Sequence, residues 1–295
     1  MARPADATPE RAEIADWHGD YLARRDQVAA HAAGSDAPPT TITYTDQEHD
    51  TWCTVLGALN ERWERVGAPE LLAAGDRLSL PTDRIPQLSE VSAALRPRTG
   101  VEYRAVPGLV PVNEFFGALA AGRFLSTQYI RHHRSPLYTP EPDIIHEVVG
   151  HGTCLAQPHL AMIHRQAGSA MLRMRSKRTR QFVADVFWFS IEFGVVMTSD
   201  GPRAHGAGLL SSVGELDWFV DNAAVRPVNV DEMAALRYDI ERYQPVLFGV
   251  RSLDELLDTV GEFFATASHE QLEACLLYTS PSPRDATLSR MPSSA

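Results

Sequence analysis

The sequence predicts a mainly α-helical single domain with a few short β-strands. The prediction rests on long stretches with apolar residues at helical spacing and on only two short segments suited to strands. No repeat or linker separates two cores.

Residues 1–8 are small, polar and proline-containing, and are expected to be disordered. Residues 9–33 read as a polar helix with Ile14, Trp17, Tyr21, Leu22 and Val28 at roughly helical spacing. The stretch GSDAPPTT (34–41) forms turns. Thr45 then serves as an N-cap, with Glu48 completing a capping box. The helix it opens runs to about Val66 and places Trp52, Val55, Leu56, Leu59 and Trp63 on one apolar side. Proline and glycine recur from Gly67 to Pro111, which suits short helices and loops.

Residues 113–125 read as another helix, and residues 143–150 open a further one after Pro142. Residues 158–197 read as one or two long helices, divided near 173–179 by a basic stretch. Strands suit only 204–210 and 246–250. The catalytic unit is expected over 9–275. Beyond Cys275 the chain becomes rich in Ser, Pro and Arg; residues 276–295 are read as a disordered or non-native tail that resembles translated adapter sequence.

The chain has 295 residues, of which 44% are hydrophobic and 22% charged, and a formal net charge of −11. That balance disfavours nucleic acid or an acidic membrane surface as a partner. Its three cysteines, Cys53, Cys154 and Cys275, are too far apart for a metal knuckle or a disulfide framework. The first residues lack the apolar core of a secretory signal. The most apolar stretch, 182–197, is too short and too polar to span a bilayer. A cytoplasmic protein is expected.

The chemistry concentrates in PEPDIIHEVVGH (140–151). The second histidine falls five residues after the first, one too late for the zinc-hydrolase pattern HExxH. On a regular helix, residues four apart lie about 40° from one another and residues five apart about 140°. His146 and His151 therefore cannot share an ion from a continuous α-helix. Gly150 offers a way out by breaking or distorting the last turn. Glu192 lies in FVADVFWFSIEFGVVM (182–197), apolar nearly all round, where a carboxylate needs a partner, a proton or a metal.

Two imidazoles and one carboxylate suit a non-heme iron(II) site with open positions. A hydrogen-bonded core histidine and a buried ion pair fit the same spacing. A zinc hydrolase and a non-catalytic metal-binding protein also stay open. His18, His31, His49 and His269 lie in polar surroundings, His159 and His164 read as surface positions of a helix, and His132 and His133 have no evident partner.

Beyond these residues, several blocks occur in a specific order: TQYIRH (127–132), PLYTPEPDIIHEVVGH (136–151), FWFSIEFG (187–194), GAGLLSS (206–212) with Gly214 and Glu215, and YQP (243–245). Together, over about Tyr44 to Phe264, they resemble the signature of the biopterin-dependent aromatic amino acid hydroxylases, in the bacterial phenylalanine 4-monooxygenase form. The resemblance implies a mostly helical catalytic domain, iron(II) on His146, His151 and Glu192, and O2 and a tetrahydropterin as co-substrates. It further implies an amino acid substrate and a monomer.

The resemblance also suggests roles for further residues. Arg131 would grip the substrate carboxylate, with Thr139 and Ser211 nearby, and Trp188 would line the ring pocket. Phe115 would stack on the pterin, with Glu147 and Phe187 beside it. Ser212 and Glu215 would steady a ligating histidine. Phe187, His205 and Val112 depart from residues common in the family, Tyr, Tyr and Ser respectively. Trp188 resembles the phenylalanine and tyrosine enzymes rather than the tryptophan enzymes, and the apolar Ile240 suits an unsubstituted ring, because a buried phenol would seek a partner. Phenylalanine to tyrosine is the preferred reaction; 3-hydroxylation of phenylalanine and hydroxylation of tryptophan are the alternatives.

Overall fold

The computed structural model describes residues 11–279 apart from Ala33, Ser35, Pro140 and Glu241. The expectations for residues 1–8 and 280–295 lie outside it. Helix α1 (Arg11–Ala29) buries Trp17, Tyr21 and Val28. Helix α2 (Asp46–Val66) starts at the predicted capping box: Glu48 N donates to Thr45 Oγ1 at 3.2 Å and Thr45 N to Glu48 Oε2 at 2.7 Å. Arg24 of α1 also donates to Glu48 at 2.8 Å, so the cap joins the two helices.

Within the proline- and glycine-rich stretch lie α3 (Pro69–Leu78) and α4 (Leu88–Thr99). A β-α-β unit follows: β1 (Glu102–Ala105), α5 (Val112–Ala120) and β2 (Arg123–Ser126), the strands pairing in parallel. The sequence predicts helix through 125. The chain instead turns at Ala121–Gly122, and Phe124 and Leu125 bury themselves by pairing with β1.

A widened helical segment, Ile145–Gly152, leads into α6 (Thr153–Ala156) and α7 (Pro158–Arg173). The predicted break comes where Ser176 caps α8 (Lys177–Phe187), which ends in a second widened turn, Trp188–Glu192. Helix does not continue to 197. Residues Gly194–Thr198 form β3, whose valines suit a paired, half-buried strand.

Strand β4 (Gly201–Ala204) reaches only the first residue of the strand predicted at 204–210. Ala207–Leu210 form α9 instead, and Gly206 before it lies against the chain at Glu192, where a Cβ would stand 2.3 Å from the Glu192 carbonyl oxygen. After α10 (Val213–Asn222) come β5 (Ala224–Pro227), α11 (Val230–Ala235) and the predicted strand β6 (Val246–Val250). Helices α12 (Leu253–Leu256), α13 (Glu262–Thr266) and α14 (His269–Thr279) close the described chain. Helix α14 passes Cys275 into the segment read as tail.

The larger sheet has the order β4-β3-β6-β5, antiparallel at β3/β4 and parallel elsewhere. One continuous apolar core joins both sheets and most of the helices. No helix among the described residues is long and apolar enough to cross a membrane.

Candidate metal centre and aromatic pocket

His146 and His151 share one face because Ile145–Gly152 is a π-helix, not because the helix breaks. Hydrogen bonding from i to i+5 widens each turn and stacks residues five apart. The two rings lie 4.8 Å apart, centre to centre, at 88°. Gly150 works by its lack of a side chain: a Cβ would stand 2.6 Å from the Ala207 carbonyl oxygen. The backbone of α9 thus abuts the π turn. The fully buried Tyr103 also meets the turn, donating its hydroxyl to the Glu147 carbonyl at 2.8 Å.

Glu192 ends the second π turn. Its Oε1 lies 3.0 Å from His151 Nε2 and its Oε2 3.8 Å from His146 Nε2. One ligand atom from each of the three residues falls within 4.8 Å of the others. Burial and the neighbouring His151 hold the His146 imidazole down at about 4, in the neutral form that a ligand requires. Burial alone would raise the Glu192 carboxyl, but His151 and His146 hold it at about 2. Burial and the Glu192 charge push the Glu147 carboxyl well above the usual range. Two imidazole nitrogens and a carboxylate oxygen this close together are a donor set that fits a divalent cation such as iron(II).

The orientation of His146 is set from behind. Its Nδ1 lies 3.0 Å from Ser211 Oγ, and that hydroxyl donates to Ala207 O at 2.8 Å. Ser211 therefore touches a ligand directly as well as lining the cavity. Ser212 instead caps α10 by accepting from Glu215 N at 3.3 Å, and Glu215 accepts from Gln244 N at 3.3 Å. Both line the cavity and tie α10 to the YQP block.

The three candidate ligands open into a cavity of about 560 Å³. Phe115, Arg131, Thr139, Glu147, Trp188 and Ser211 all line it. Its size and aromatic wall suit a flat heterocycle beside a small substrate. Phe187 does not line it; buried edge-on behind Phe115 and Phe116, at 6.4 and 5.3 Å between ring centres, it supports the wall. Trp188 is held flat by Tyr238, 4.3 Å away at 9°. Thr139 donates to Glu141 O at 2.5 Å, bracing its own loop.

Arg131 is buried against Asp143 through Nε at 2.8 Å and Nη2 at 2.9 Å, while Nη1 reaches only to 3.4 Å from Pro136 O. Burial would raise the Asp143 carboxyl, but Arg131 holds it below its ordinary value.

Sequence reasoning misses Asp143, Tyr238 and His164. Asp143 reads as a helix-opening residue, and nothing local pairs it with Arg131. His164 is not a surface residue: it is buried, with Nε2 3.4 Å from His151 Nδ1. Its signal was the stripe Leu160, Ile163, Ala167 and Met171, which is buried and includes position 164 at helical spacing.

A family model described as "Biopterin-dependent aromatic amino acid hydroxylase" matches residues 15–275. The chain is 42% identical over 264 residues to a phenylalanine 3-hydroxylase of Streptomyces coeruleorubidus, covering 89% of this chain and 94% of that one. It is 36% identical over 253 residues to the phenylalanine-4-hydroxylase of Bos taurus, covering 83% of this chain and 56% of that longer protein. Among solved structures, phenylalanine hydroxylase of Chromobacterium violaceum with bound iron(III) and oxidised 7,8-dihydrobiopterin superposes with a TM-score of 0.78 at 27% identity, over 93% of this chain and 94% of that one. With the fold, the donor set and these matches in agreement, the chain belongs to the biopterin-dependent aromatic amino acid hydroxylase family.

Proposed function

We propose that this chain hydroxylates the ring of free L-phenylalanine, with iron(II) held by His146, His151 and Glu192 and with O2 and a tetrahydropterin as co-substrates. The observation that carries this reading is the convergence of two imidazoles and one carboxylate in the lining of an aromatic-walled cavity. Iron(II) and the tetrahydropterin, when bound, would supply the reductive activation of O2, which the protein's own side chains cannot perform.

The remaining work is positioning. Asp143 occupies two nitrogens of Arg131 and locks the guanidinium, leaving Nη1 for the substrate carboxylate. Thr139 and Ser211 line the same cavity. Trp188, backed by Tyr238, presents a flat face to the substrate ring. Phe115, supported by Phe116 and Phe187, offers a second face for the pterin, and Glu147 offers a polar group beside it. Ser212 and Glu215 hold the start of α10 against the cavity.

The Streptomyces relative, matched over nearly its whole length, is a phenylalanine 3-hydroxylase. That favours the 3-hydroxylated product, the alternative in the sequence reading, over tyrosine. The proposal includes a catalytic unit over residues 9–275, a monomer and a cytoplasmic location.

The test is anaerobic reconstitution with iron(II), followed by tetrahydrobiopterin, O2 and phenylalanine, tyrosine or tryptophan supplied separately. Chromatography should find 3-hydroxyphenylalanine from phenylalanine. Tyrosine as product would move the assignment to the 4-position. No hydroxylated product from any of the three would refute the reading.

A further inference from the structure

His164 takes no part in the roles assigned above. It lies on α7, 1% exposed, with Nδ1 2.7 Å from the Leu160 carbonyl oxygen and Nε2 3.4 Å from His151 Nδ1. A carbonyl oxygen only accepts, so the short contact requires a hydrogen on His164 Nδ1. A neutral ring then has only a lone pair at Nε2, and the hydrogen in the contact with His151 must come from His151 Nδ1. In a neutral His151 ring, the form a metal ligand needs, that leaves the lone pair on Nε2, the atom beside Glu192 Oε1 at 3.0 Å.

We infer that His164 is a positioning residue: by accepting from His151 Nδ1 it fixes the tautomer and ring angle that offer His151 Nε2 to the metal. Ring flips are opposed on both sides. His164 stands nearly perpendicular to His151 at 80° and to Phe187 at 89°, with centres 5.7 and 5.6 Å apart. His146 is held in the same sense by Ser211, whose hydroxyl also ends on a backbone carbonyl. Partners of this kind orient ligating histidines and strengthen their metal binding. The inference rests on the metal-centre reading.

Its test combines two measurements on the full chain. Nitrogen-15 imidazole spectra of the metal-free protein should show His151 protonated at Nδ1 in wild type. The spectra should show a shifted or mixed population in H164F, which keeps an aromatic ring but no acceptor. In H164Q the side-chain carbonyl should restore the wild-type tautomer. Anaerobic iron(II) titration by calorimetry should weaken about 10- to 100-fold in H164F and recover largely in H164Q.

If H164F does not fold, H164N replaces it, since its amide can still meet Leu160 O but is too short for His151. Unchanged tautomer and affinity in the acceptor-free variant would make His164 a packing residue and overturn the inference. A wild-type chain that binds no iron(II), yet shows the tautomer shift in H164F, would sink the metal-centre reading while leaving the hydrogen-bond assignment intact.

Discussion

Tyr103 donates its hydroxyl to the carbonyl oxygen of Glu147 at 2.8 Å, inside the π turn that carries His146 and His151. A side chain reaching into the hydrogen-bond ladder of a helix is a known cause of local distortion. Tyr103 comes from β1, and its own backbone N–H is held by Ser92 Oγ at 2.8 Å, so the donor is rigid. Replacing it with Phe keeps the ring and removes the bond. Y103F should lose about 1 kcal/mol of stability by urea denaturation. Because the wide turn sets the spacing of the histidines, iron(II) affinity should also fall several-fold by calorimetry. An unchanged affinity would mean that the turn stands without Tyr103.

Gly150 tests the same turn from the side of α9. An added Cβ would fall 2.6 Å from a backbone oxygen, which cannot swing away as a side-chain tip could. G150A should therefore destabilise the protein by about 1–3 kcal/mol through overpacking. The variant should melt lower and bind iron(II) more weakly, because Ala207 also accepts from the Ser211 hydroxyl that holds His146. A stable G150A with normal metal affinity would show that α9 yields freely.

Arg131 should govern substrate binding more than turnover. Lysine keeps the charge but cannot satisfy Asp143 and a substrate carboxylate together. R131K should raise KM for the amino acid about tenfold or more, the loss expected for a charged hydrogen bond worth about 1.5–3 kcal/mol. The KM for tetrahydropterin should move little. D143A leaves a buried guanidinium without its partner and should cost about 3–5 kcal/mol in unfolding free energy. Equal effects on both KM values would argue against a carboxylate-binding Arg131.

Acid should weaken the folded protein through His205. Burial holds its imidazole at about 4, against an ordinary value of about 6.5 in the unfolded chain. Between those limits the unfolded state takes up a proton that the folded state refuses. The contribution is therefore complete above about pH 6.5 and is lost as pH falls towards 4, by up to about 1.4 kcal/mol per pH unit for one such group. Denaturation midpoints at pH 7, 6 and 5 should decline, and H205Q should decline less steeply. Parallel declines would assign the effect to other groups.

The features legible in the sequence are those that depend on near neighbours. The Thr45–Glu48 capping box spans four residues and was readable to the residue, as was the strand at Val246–Val250. His146, His151 and Glu192 stood out as possible ligands, because a carboxylate within an apolar run carries its own chemical cost, and it was the resemblance of the ordered blocks that singled them out as a set. The misreadings all involve distant partners. Residues 123–126 become a strand by pairing with β1 across the intervening α5, and 194–198 by pairing with β6 from far along the chain as well as with the adjoining β4.

The sequence by itself determined which atoms could bind a metal and, through its ordered blocks, which chemistry they resemble. Only the tertiary structure decided how His151 reaches the site. An α-turn and a π-turn differ by one residue of hydrogen-bond register, and Tyr103 and the Ala207 backbone, both from elsewhere in the chain, meet that turn. His164, invisible as a partner in the sequence, comes to stand behind His151 because α7 turns its buried face towards the π turn.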